Sequence, residues 1–226
     1  MPDAAAAGSG RPDDAASRAL RAQLLATEHW SLLASRGTTQ SEVLTRISMF
    51  LTLVSAGLVS LALVGQASDF SESFGVFAIA VLGVVALVGV LTQVRVINTS
   101  MEDLMYVLAM NRLRAAYVEL DPGIADALMA STHDDYAGMN KTYYFLTPAR
   151  GQSQVVGSSM VFIIAVNSAM IGLLVAAILN AIGVSTWLLV LVGVLVGVAY
   201  ALFWIWRGGK RFFTFWEQYR PLHPTP

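Results

Sequence analysis

The sequence predicts an all-α fold: a four-helix transmembrane bundle of two antiparallel hairpins, with amphipathic helices on the cytoplasmic side. Three observations predict it. Four apolar runs, residues 47–66, 74–94, 155–179 and 184–206, contain no Asp, Glu, Lys, Arg or His. Each run is about 20 residues or longer, and a helix of that length covers the roughly 30 Å of a bilayer core. All 14 Lys and Arg residues fall outside the runs, and only in alternate gaps. Cytoplasmic segments retain positive charge, so this one-sidedness predicts four spans with both termini inside.

Arg11, Arg18, Arg21, Arg36 and Arg46 precede the first run. Arg95, Arg112, Arg114, Lys141 and Arg150 lie between the second and third. Arg207, Lys210, Arg211 and Arg220 follow the fourth. Residues 67–73 and 180–183, the predicted external loops, hold no Lys or Arg. At 226 residues, 56% hydrophobic and 13% charged, the chain falls well below the charge content of soluble domains. A net charge of −1 gives no reason to expect nucleic acid as a partner, and the absence of cysteine excludes disulfides and thiolate-ligated metals. Twelve Arg against two Lys, with abundant Ala and Val, suggests a GC-rich bacterial genome, hence an inner-membrane location.

Taken in order, residues 1–15 are rich in Ala, Gly, Asp and Pro and predict a disordered tail. Residues 16–46 predict a cytoplasmic amphipathic helix, with Leu20, Leu24, Leu25, Leu32 and Leu33 near helical spacing, ended by Gly37, and then an approach to the first span. Residues 47–94 form the first hairpin and 155–206 the second. Gly183 and Ser185 mark its turn, and Trp187 stands where an outer-interface aromatic belongs. Between the hairpins, residues 95–154 form a helical cytoplasmic segment. Residues 99–102 (TSME) fit a capping box, so a helix either restarts there or the second span continues through it. Asp121, Pro122 and Gly123 break that helix and cap another over 122–131; residues 133–150 read as loop. Residues 207–226 form an aromatic and basic tail suited to the interface, either anchoring the fourth span or restarting as an interfacial helix after Gly208 and Gly209.

Within the spans, small and polar residues carry the information. Ser48, Thr52, Ser55, Ala62 and Gln66 share one face of the first span, a packing face or the lining of a pore between subunits. Gly75, Ala78, Ala86, Gly89 and Gln93 share a face of the second; Ser158, Ala165, Ala169, Gly172 and Ala176 share one on the third. Gly193 and Gly197 form a GxxxG on the fourth, continued by Ala201. Asn167, near the middle of the third span and directed away from its small face, needs a hydrogen-bond partner from another span, a second subunit or water. His133, Asp134 and Asp135 read as a solvated loop rather than a metal site, since three adjacent side chains do not face one point. His29 reads as a surface or core-edge residue. No hydrolase, nucleotide or dinucleotide motif is present, and no cofactor is implied.

Residues 24–33 (LLATEHWSLL) and 46–51 (RISMFL) resemble uncharacterised four-span integral membrane proteins of actinobacterial type. That resemblance covers the entry to the first span and implies no activity. The layout also resembles the two-span SLATT proteins of bacterial conflict systems, from which this chain departs by having four spans and no sensor domain. The expected function is non-enzymatic: a multi-pass inner-membrane protein whose partners are the lipid bilayer, sister copies in a homo-oligomer and a cytoplasmic protein. The alternative is an oligomeric channel lined by the first span.

Overall fold

The computed structural model describes residues 12–147 and 157–226. Four helices dominate them: α1 Pro12–Ala67, α2 Glu72–Leu120, α4 Ser159–Ala181 and α5 Thr186–Gln218. A 3₁₀ turn, Pro122–Ala127, and the short helix α3, Tyr136–Tyr143, lie between α2 and α4. Each long helix contains a stretch apolar enough to cross a membrane, and only 11–28% of each stretch is buried within the protein. Val76, Leu87, Val190 and Leu195 are among the large apolar side chains left exposed along them. A soluble protein does not expose contiguous apolar surface on that scale.

By its internal contacts the chain divides into two compact units: Met1–Arg36 with Leu104–Ala149 and Arg220–Pro226, and Gly37–Asp103 with Arg150–Tyr219. The second unit holds the apolar core. Val43, Ile47, Phe50 and Val54 from α1 meet Leu82, Val85 and Val96 from α2 and Ile163 and Met170 from α4. The α1 residues alternate by four and three, the spacing of a coiled-coil seam, and Gly57 extends it. A Cβ at Gly57 would lie 3.3 Å from both Val81 and Val85. Moving up α1 therefore means moving down α2: Glu42 meets Arg95, Phe50 meets Gly89, and Gly57 meets Val81.

The remaining helix, α5, joins by a different device. A Cβ at Gly193 would lie 2.8 Å from the carbonyl oxygen of Gly172, and one at Gly197 would lie 2.9 Å from that of Ser168. The two backbones touch, which only glycine permits. The GxxxG pair is thus occupied within the chain.

The turns follow from local chemistry. Gly183 adopts φ +80, and the amides of Gly183 and Val184 bond back to Asn180 and Leu179, closing the C-terminus of α4. Asp69 and Phe70 both have positive φ, and the Phe70 ring lies over Gly65, where a Cβ would strike it. Phenylalanine in the left-handed region is strained, and the ring contact offsets the cost.

Several sequence expectations need correction. Gly37 does not end a helix: α1 runs through it to Ala67. Of the predicted tail 1–15, residues 1–11 lie outside the described residues, and α1 already begins at Pro12. The capping box at 99–102 starts nothing, because α2 continues through it to Leu120. Asp121 accepts from the amide of Gly123 at 2.9 Å, but what it caps is a 3₁₀ turn ending at Ala127, short of residue 131. The expected loop 133–150 contains α3; its residues 148–150 lie outside the described residues. The third span starts at Ser159, capped by Ser158, and residues 155 and 156 lie outside the described residues. Gly208 and Gly209 break nothing, because α5 passes through both to Gln218. One physical reason covers the corrections at Gly37 and at Gly208 and Gly209. An interior glycine costs a helix about 1 kcal/mol, which cooperative propagation and packing along a long helix offset.

Replacing Gly197 by leucine should force α4 and α5 apart. An overpacked site of this kind costs about 1–3 kcal/mol, so the detergent-solubilised protein should melt several degrees lower. Gly209→Leu, with open space around its Cβ, should melt as the native protein does; equal melting of the two variants would refute the backbone contact.

Candidate functional site

Polar groups are scarce among the apolar helices, and three of them meet. Asn167 on α4 is fully buried, and its Nδ2 donates to Gln93 Oε1 on α2 at 3.1 Å and to Tyr200 Oη on α5 at 2.8 Å. Tyr200 Oη donates in turn to Gln93 Oε1 at 3.1 Å. The triangle ties three helices together. Two of its buried atoms, Gln93 Nε2 and Asn167 Oδ1, have no partner among the described residues. Exchanging nitrogen and oxygen in both amides gives the same tally, with one amide donor group and one carbonyl oxygen over.

Gly89 makes room for this cluster. A Cβ there would collide with Asn167 Oδ1 and with the ring of Phe50. The buried side of α4 carries Ile163, Ile164, Asn167, Ser168, Met170 and Gly172, while Ala165 and Ala169 are exposed. The small face expected at Ser158, Ala165, Ala169, Gly172 and Ala176 is therefore rotated. Small residues are needed only where backbones touch, at Ser168, Gly172 and Ala176. Asn167 lies about 140° round the helix from that row, directed away from it.

The face of α1 formed by Ser48, Thr52, Ser55, Ala62 and Gln66 is exposed. Thr52 Oγ1 donates to the Ser48 carbonyl at 2.9 Å, so its hydroxyl is satisfied within the helix. At the start of the apolar part of α1, Glu42 bonds both Arg46 and Arg95, at 2.8 and 2.9 Å, and Arg95 also reaches Glu102 at 2.7 Å. The Arg95 hydrogen bond is the main cause holding the Glu42 carboxyl below its ordinary value.

In the other unit, His133, Asp134 and Asp135 do not form a solvated loop. Asp134 is fully buried and accepts from Arg112 Nε at 2.5 Å and from the amides of Leu222 and His223 at 3.1 and 2.8 Å. Its own amide donates to the His223 carbonyl at 3.2 Å. Asp135 caps α3 through the amide of Gly138 at 2.7 Å and takes the amide and hydroxyl of Thr225 at 2.7 and 3.0 Å. The two carboxylates clamp the last residues of the chain. Behind them Asn111 donates to the His133 carbonyl at 2.7 Å and accepts from Thr142 at 2.8 Å. Gly138 has to be glycine, because a Cβ would overlap the His133 carbonyl. His29 stacks on Tyr117, with ring centroids 5.9 Å apart; burial first, then the charge of Arg114, lowers its pKa.

Sequence reasoning missed Tyr200, Arg112, Asn111 and the carboxylate clamp. Tyr200 follows Gly197 by three residues and so lies near the glycine face, a signal the helical spacing carried. Arg112 and Asp134 are 22 residues apart, and nothing local links them. Among the described residues no three His, Asp or Glu side chains gather as a metal site requires. No protein-family model, curated protein or solved structure matches this chain.

Substituting Asn167 by leucine removes two hydrogen bonds and leaves Gln93 and Tyr200 with only each other. A loss of about 1–2 kcal/mol should appear as a lower melting temperature in detergent, with Gln93→Leu giving a similar and non-additive loss. Additive losses would mean that the two amides act separately.

The clamp predicts a pH dependence. Burial raises the Asp135 carboxyl, but the bonds from Thr225 and Gly138 outweigh it and leave the pKa lowered from 3.8. Its contribution is complete above that ordinary value and is lost as pH falls through the depressed one. Acidification well below about pH 4 should therefore loosen Thr225, and Asp135→Asn should loosen it already at neutral pH, each read as faster amide hydrogen exchange at Thr225.

Proposed function

We propose that this chain is a non-enzymatic, multi-pass membrane protein that self-associates through the outward face of α1. Its two hairpins would place both termini in the cytoplasm of a bacterial cell. One observation supports self-association above all: the GxxxG of α5 is spent inside the chain, against Gly172 and Ser168. The row Ser48, Thr52, Ser55, Ala62 and Gln66 remains exposed on α1. Small and hydroxyl side chains let membrane helices approach closely, and a second copy of the same row offers a self-complementary surface.

The topology rests on the basic residues and on helix length. At about 1.5 Å per residue, the 56-residue α1 is roughly 84 Å long and the 49-residue α2 roughly 74 Å. Both are more than twice the thickness of a bilayer core and would project beyond it on the side rich in arginine. That projection would present a surface to a cytoplasmic protein partner, and exposed Leu20, Leu24, Trp30 and Met105 supply its apolar contacts.

The chain has no cysteine, so single cysteines report proximity without background. Thr52→Cys and Ser55→Cys should each give an oxidised dimer in native membranes, and Ser60→Cys, on another exposed face, should not. Dimerisation by all three or by none would reject the proposed face. Reporter fusions at Thr225 should read inside and at Ser71 outside; the reverse would reject the topology. Ion current from the reconstituted cross-linked species would assign the same face to a pore.

A further inference from the structure

The cations of this chain are unequally served. Arg21 pairs with Glu119 at 3.1 Å, Arg46 with Glu42, Arg95 with Glu42 and Glu102, and Arg112 with Asp134. Arg207 and Lys210 have no carboxylate partner among the described residues, and Arg211 reaches only the neutral Asn98 amide oxygen, at 2.7 Å. All three are exposed. The net charge of −1 therefore conceals a local positive surplus at one place on α5.

That place is where the apolar part of α5 ends. The 33-residue helix is roughly 50 Å long, so about a third of it would extend beyond a bilayer core. Phe203, Trp206, Lys210 and Phe213 follow one another by three and four residues, and the three rings are half or more exposed. Lys210 Nζ sits 5.4 Å from the Trp206 ring centroid, which holds the ammonium beside an aromatic face. Glu217 comes one turn after Phe213, past the cationic stretch. Leu195, Val198 and Leu202 continue the exposed apolar surface in the other direction.

We propose that this surface binds an anionic phospholipid, with the headgroup phosphate at Arg207 and Lys210, Trp206 and Phe213 at headgroup level, and an acyl chain along Leu202 and Val198. The inference rests on the membrane reading given above. A protein partner fits less well, because the cations run without a break into a surface suited to hydrocarbon. The charge surplus calls for an anion, and the adjoining apolar face calls for a lipid one.

Native mass spectrometry of the full chain, offered equal phosphatidylglycerol and phosphatidylcholine in detergent, tests it. The wild type should retain phosphatidylglycerol preferentially. Arg207→Gln and Lys210→Gln should each lower that preference about fivefold, and Arg46→Gln, whose cation already has a carboxylate, should leave it unchanged. Equal retention of the two lipids by the wild type, or an undiminished preference in the double variant, would overturn the proposal. So would displacement of the lipid by inorganic phosphate alone. Alkaline extraction of vesicles of either composition separates the two readings: release from both overturns the membrane reading as well, and firm retention without headgroup preference overturns only this one.

Discussion

An amide surrounded by apolar side chains has no water to fall back on, so it must find its partners within the fold. The Asn167 amide nitrogen does so by donating to Gln93 and Tyr200 at once, and it thereby fixes α4 against both α2 and α5. Among the described residues the buried apolar cluster draws on α1, α2 and α4. The fourth long helix, α5, is held instead by glycine-to-backbone contact and by Tyr200. The two devices depend on each other. Tyr200 reaches Asn167 because Gly193 and Gly197 let the backbones close, and Gly89 leaves the space into which the amide fits. Apolar contact is weakly directional, particularly where lipid competes with it, so the polar triangle supplies the register that a greasy surface alone leaves open.

The long helices follow from the same economy of polar groups. Ending a helix exposes four amides or four carbonyls, which need caps or water. α1 and α2 avoid that cost by continuing through Gly37 and through residues 99–102, and α5 does so through Gly208 and Gly209. Punctuation residues are strong signals where a turn has something to gain. Beyond Gly37 the buried side of α1 alternates by four and three from Val43 to Gly57.

The apolar runs were legible because their information is local: no charged residue within about 20 positions is a property of the string itself. Asn167 was legible for the same reason, as a lone amide in an apolar run. Its partners were not, because Gln93 lies 74 residues away and Tyr200 lies 33 away. Asp134 was misread for a related reason. Adjacent His, Asp and Asp look like an exposed loop, and only the arrival of Arg112 and of the backbone amides of Leu222 and His223 makes burial of a carboxylate tolerable. The small face of α4 is not legible from residue size, because Ala165 and Ala169 are exposed whereas Ile163 and Ile164 are buried.

Acidic residues complete the logic of charge. Topology follows the basic residues alone, yet the structure shows where the carboxylates are used. Glu42 and Glu102 flank Arg95 at the edge of the apolar stretches, and Asp134 and Asp135 clamp the C-terminal residues. A carboxylate bound in this way neutralises a cation or completes a backbone, and it is withdrawn from general electrostatics. Among the cations without a carboxylate, Arg207 and Lys210 are then distinguished by what surrounds them and not by their sign. Four arginines are matched inside the fold, whereas these two stand in an exposed aromatic row at the end of an apolar helix. A charge without an internal partner, kept next to rings that favour an interface, is most economically matched by the surface in which the helix sits.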